Sequence, residues 1–259
     1  MTSEEIRTVS SVCHQWQVNV NNNFAEVLIL SQEGCMEDAL CLALENNKDE
    51  LAYTLVSMSS SPNQSERALR YLIRQRGGNG MSMDLINRLL DHPQHPACAD
   101  CNDGTLLRDA AEGGHMEIVR MLLEAPQNAA LADCRFGEFL VHAAFGGHTE
   151  IVRLLLEAPQ NAASADCQNG EALRLAACGG HTEIVRLLLD APRNAARADC
   201  QDGMALQMAA LFGHTVVVKL LLNSPHMRVC HGHLALLRAK EGRHSDIVSL
   251  ISQSLLLLQ

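Results

Sequence analysis

Histidine and cysteine are the side chains whose types and spacing could do chemistry in this chain of 259 residues, which carries 12 His and 10 Cys. His92, His95, Cys98 and Cys101 stand as H-x2-H-x2-C-x2-C, and Cys230, His231, Gly232 and His233 form a second cluster. Imidazole nitrogens and thiolates are the ligands that tetrahedral zinc accepts, so both clusters are candidate metal sites, and a metal- or thiol-responsive regulator is one reading of the chain. Against it, the first cluster is too closely spaced to match an ordinary zinc finger or ribbon. No phosphate-binding glycine loop, nucleophile elbow or zinc-protease motif is present. With no nucleophile beside a base and no paired carboxylates in a recognisable setting, neither an enzyme nor a cofactor nor a small-molecule substrate is expected.

Other histidines and cysteines, together with Cys101, obey a period. Gly104, Gly137, Gly170 and Gly203 are 33 residues apart, as are Cys101, Cys134, Cys167 and Cys200, and His115, His148, His181 and His214. Residues that recur with a repeat usually serve the repeat, so these rings and thiols read first as structural. Stacked units lie about 8–10 Å apart, whereas a disulfide needs Cα atoms within about 7 Å, so the four periodic cysteines are expected as buried thiols and not as bridges.

Each unit divides by local signals, clearest in Ala165 to Pro192. Asn169-Gly170 is a tight-turn dipeptide, which suggests a hairpin-like finger. Glu171 to Cys178 is a short Ala/Leu-rich helix closed by Gly179-Gly180. Thr182 is placed to cap a second helix with an apolar stripe of Ile184, Val185, Leu188 and Leu189, which Pro192 stops. Neither helix is long enough to be stable alone in water, so the stripes must be buried on neighbouring units.

The pattern resembles the ankyrin repeat, through G-H-T-E-I-V-R-L-L-L at Gly147 to Leu156 and Gly180 to Leu189, with Leu-x-x-Ala-Ala upstream of each. The match is close from Cys101 to Asn223. Upstream, Ala43 to Leu55 keeps the two-helix pattern without its glycines, and Met83 to Asp100 repeats the second helix and its loop. Downstream, His244 follows His214 by only 30 residues, so the last finger is short. The family's Thr-Pro-Leu-His stretch is replaced, as by Glu171-Ala172-Leu173-Arg174, and its glycine after the second helix gives way to Ala-Pro-Gln-Asn-Ala-Ala. The expected fold is an all-α ankyrin-type solenoid of about seven helix pairs. Residues 31–254 would form it, with regular repeats at 101–228 and divergent ones at 31–100 and 229–254. Residues 1–30, which include Trp16, are expected as an N-terminal extension or cap, and 255–259 as an apolar tail.

The resemblance implies that the finger tips and first helices line a concave groove that grips another protein. Between units these positions differ, as Arg108, Val141, Arg174 and Gln207 do on the first helices. Only five phenylalanines occur, and four, Phe136, Phe139, Phe145 and Phe212, fall here. Phe139 and Phe145 could each simply fill a gap. Phe136 instead replaces the Asp or Asn of a turn dipeptide, where an apolar ring gains little unless something covers it. The partner-binding set is therefore Arg108, Arg135, Phe136, Phe139, Phe145, Arg174, Gln207 and Phe212. On the opposite side Arg120, Arg153 and Arg186 recur in E-I-V-R, which reads as a solvated face with weak helix pairs.

What the resemblance implies is a non-enzymatic protein-binding scaffold or assembly subunit. A formal charge of -10, from 20 Lys+Arg and 30 Asp+Glu, provides no clustered basic face for nucleic acid. The opening residues lack a signal h-region and no apolar run is long enough for a membrane span, so a soluble intracellular protein is expected, cytoplasmic in preference to nuclear. Leu255 to Leu258 make an apolar end where a solenoid needs a polar cap, so part of the run should be covered, by a partner in preference to the chain itself.

Overall fold

The computed structural model describes residues 36–58, 64–76, 83–91, 101–124, 137–158, 162–191, 194–225 and 229–257. They contain helices in stacked pairs and no strand, as expected of an ankyrin-type solenoid. The chain divides into two units, Met1–Cys98 and Ala99–Gln259.

In the first unit, α1 (Met36–Glu45) pairs with α2 (Asp49–Met58), and α3 (Gln64–Arg76) with α4 (Met83–Leu90). The first helices pack together, as do the second. The turn between α1 and α2 lacks the glycines of the regular repeats, and Asn47 takes the left-handed conformation instead, with φ 56°. Asparagine tolerates that region better than other side chains do. Polar links join the pairs. Arg88 grips Glu50 at 2.5 and 3.2 Å and lies 4.0 Å over the Tyr53 ring, while Tyr71 donates to Glu45 at 2.9 Å.

The second unit holds five pairs: α5 (Cys101–Glu112) with α6 (Met116–Glu124), α7 (Glu138–Phe145) with α8 (Thr149–Glu157), α9 (Cys167–Gly179) with α10 (Thr182–Leu189), α11 (Cys200–Phe212) with α12 (Thr215–Leu222), and α13 (Val229–Glu241) with α14 (Ser245–Leu257). The first helices touch through alanines, among them Ala143, Ala144, Ala176, Ala177, Ala209 and Ala210, all fully buried. The second helices meet through larger Ile, Val and Leu side chains, such as Ile151, Val152 and Leu155. Small residues let the first helices approach more closely than the second, so the first-helix layer is the inner side of the stack.

Two local expectations change. The N-cap of α10 is His181, and Thr182 is the first helical residue, its hydroxyl donating back to the Gly180 carbonyl at 3.4 Å. The finger base is a left-handed turn: Gln168, Asn169 and Gly170 all have positive φ, as do Gln201, Asp202 and Gly203. The loop that lacks the usual glycine is closed by Asn194 at φ 46°, by Ala196 N–H donating to Leu188 at 2.8 Å, and by Asp166 N–H donating across to Asn194 at 3.1 Å.

Leu255 to Leu257 continue α14. Leu255 is 7% exposed and lies against Gly232 of α13, while Leu256 is 72% exposed. Of the run's described side chains, Leu255 is covered by the chain itself and Leu256 is not.

Candidate partner-binding face

The periodic imidazoles are built into the backbone of the preceding unit. His148, His214 and His244 place Nε2 at 3.1, 2.9 and 3.1 Å from the carbonyl oxygens of Glu112, Cys178 and Leu211. A carbonyl only accepts, so Nε2 carries the proton and donates in all three. The periodic thiols are spent in the same way. Cys167, buried, donates weakly to the Gly137 carbonyl at 3.6 Å, and Cys200 donates to the Asp166 carboxylate at 3.1 Å. Burial, and then the carboxylate beside it, push the Cys200 thiol up to about 11. Neither forms a disulfide; Cys167 is buried as expected, Cys200 is only half-buried, and Cys134 lies outside the described residues.

Of the metal candidates, His92, His95 and Cys98 lie outside the described residues, as do the side chains of Cys101 and Cys230. In the second cluster His231 is buried against Gly203 and His233, two residues on and so on the other side of α13, is exposed. Among the described residues no group of three His, Cys, Asp or Glu side chains is placed to hold a metal ion.

The proposed contact residues separate sharply. Phe139 is 0% exposed and its ring sits over Gly104 of the preceding unit, so it is a core residue and not a surface contact. Gln207 is 5% exposed and its amide donates to the Asp202 carbonyl at 3.0 Å, which withdraws it from the surface as well. Arg108 is half-buried against Asp109 at 3.2 Å. Arg174 is held bidentately by Glu171, with Nε to Oε2 at 2.8 Å. The Glu171 carboxyl is lowered from its usual value, first by that guanidinium and then by the Gln201 amide. These arginines are therefore fixed by local acids and offer a partner only part of their charge. Arg135 and Phe136 lie outside the described residues.

Phe145 and Phe212 behave oppositely. They are 65% and 52% exposed, at the C-terminal ends of α7 and α11. The sequence reading missed their neighbours: Leu234 and Leu237 on α13 are also exposed, and Met204, Met208 and Leu211 on α11 are half-buried. A signal was available, because Leu237 occupies the register of Arg108 and Arg174, and Leu234 that of Glu171. In that register the first helices thus carry Arg108 and Arg174 on α5 and α9 but Leu237 on α13.

The outer face carries the paired arginines, Arg153 with Glu150 at 3.6 Å and Arg186 with Glu183 at 3.8 Å, all largely solvated. Such pairs contribute about 0–1 kcal/mol. No described helix is long and apolar enough to cross a membrane.

Comparison with known proteins gives no match among curated sequences. A family profile described as ankyrin repeats, in three copies, matches residues 75–166 and 127–202. It agrees with the helix pairs, the glycine turns and the unit-to-unit histidine bonds. Ankyrin repeats typically act as protein–protein interaction modules, and across residues 75–202 this chain belongs to that family.

Proposed function

We propose that the chain is a non-enzymatic scaffold or assembly subunit that binds a partner protein through the first-helix layer of residues 101–257. The observation that carries this is the exposure of Phe145 and Phe212 on one layer of a chain whose aromatics total 3%. Large exposed rings set among half-buried methionines and leucines are the composition of a contact surface, and hot spots favour aromatic residues. Arg108 and Arg174 flank this region. α7, α9 and α11 each pack between two other first helices, so little ordering is needed there on binding. The test is a photo-crosslinking residue placed in turn at Phe145, Phe212, Arg153 and Arg186 in cells. Protein adducts from the two inner positions and few from the two outer ones support the reading. Adducts confined to the outer positions overturn it.

A further inference from the structure

One row of side chains runs along the inner layer through five successive units. Three residues before each turn histidine stand Glu112, Phe145, Cys178, Leu211 and Glu241, and Phe212 adjoins the fourth. The row is therefore apolar over three units and carries a carboxylate at each end. Both glutamates are exposed, as are the two rings. The row is also rigid, because the carbonyls of Glu112, Cys178 and Leu211 each accept the imidazole of the following unit. What covers it meets side chains in fixed register.

Resting on the reading that this layer binds protein, we propose that the row takes a segment of a partner protein that is apolar at its centre and basic on both flanks. The centre is set by Phe145, Leu211 and Phe212, where only apolar groups recover the area that the rings expose. The flanks are set by charge. Glu241 lies 2.8 Å from Arg238, an exposed pair, and Glu112 faces His142 at 4.0 Å. Such solvated contacts leave the carboxylates open to a second cation. The acidic balance of the whole chain, -10, favours the same sign of partner at longer range. With units about 8–10 Å apart, four steps separate the glutamates by about 32–40 Å. An extended segment would span that distance with about 10–12 residues between its basic ends.

The experiment is selection from a library of random peptides, each about 16 residues long to exceed that span, on the full chain. Clones that also bind Phe145→Ser/Phe212→Ser are discarded, and the thermal melt of that variant is checked first. The expected winners have an apolar centre with Lys or Arg on both sides. Their affinity should fall about thirtyfold or more in the double Ser variant. Glu112→Lys/Glu241→Lys should shift the selection to acidic flanks. Winners with neutral or acidic flanks on the unaltered chain, or no winners that depend on the two rings, overturn the proposal. If Phe145 crosslinks in cells to a segment without flanking basic residues, the inner layer remains the binding face and this assignment of its partner fails alone.

Discussion

The imidazole of His214 lies against Gly180 of the preceding unit, where a Cβ would fall 2.5 Å from Nδ1, while its Nε2 reaches the Cys178 carbonyl at 2.9 Å. One ring thus requires a glycine and satisfies a helix-end carbonyl at once. Gly180 also has φ +71°, which a side chain strains. Gly180→Ala should destabilise the second unit by about 1–3 kcal/mol in urea unfolding. In a His214→Ala background the added cost should be smaller, because only the backbone strain remains. Equal costs in both backgrounds would show that the ring and the glycine are not coupled.

Cys200 should resist thiol reagents at pH 8, because its thiol is pushed up to about 11 and donates to Asp166. Asp166→Asn removes the negative charge that opposes the thiolate, so labelling of Cys200 should accelerate. The sign for stability follows. The unfolded thiol, at 9.0, gives up its proton while the folded one keeps it, so stability is retained below about pH 9 and falls as pH rises towards 11. Urea midpoints across that range should decline more steeply in the unaltered chain than in Cys200→Ala.

Leu155 is fully buried on α8, and Leu155→Ala should cost about 2–5 kcal/mol through the cavity it leaves. Phe139→Ala should cost about 3–5 kcal/mol for the same reason, whereas Phe145→Ala should leave the melting temperature close to that of the unaltered chain. A melt insensitive to Phe139→Ala would place that ring back on the surface.

At the C-terminus, Leu255→Ser should lower the melting temperature because Leu255 packs on Gly232, and Leu256→Ser should not. If the two variants melt alike, the end of α14 does not close the stack.

The histidines, the second-helix stripes and the Gly-Gly turns were legible in the sequence because they recur every 33 residues, and a period reports what each unit must present to its neighbour. Even the departures kept their function by local chemistry, as Asn47 and Asn194 supply the left-handed conformation where glycine is missing. The same period could not say which non-recurring residues face solvent. Phe139 and Phe145 lie six residues apart on one helix, and the packing of α7 against Gly104 buries the first and leaves the second exposed. Nor could sequence show that Gln207 turns back to the Asp202 carbonyl, or that Leu255 has a glycine beneath it. Each of those outcomes depends on what another unit or another turn places within a few ångströms. Local propensity carries no information about that distance, and only the stacked structure decides it.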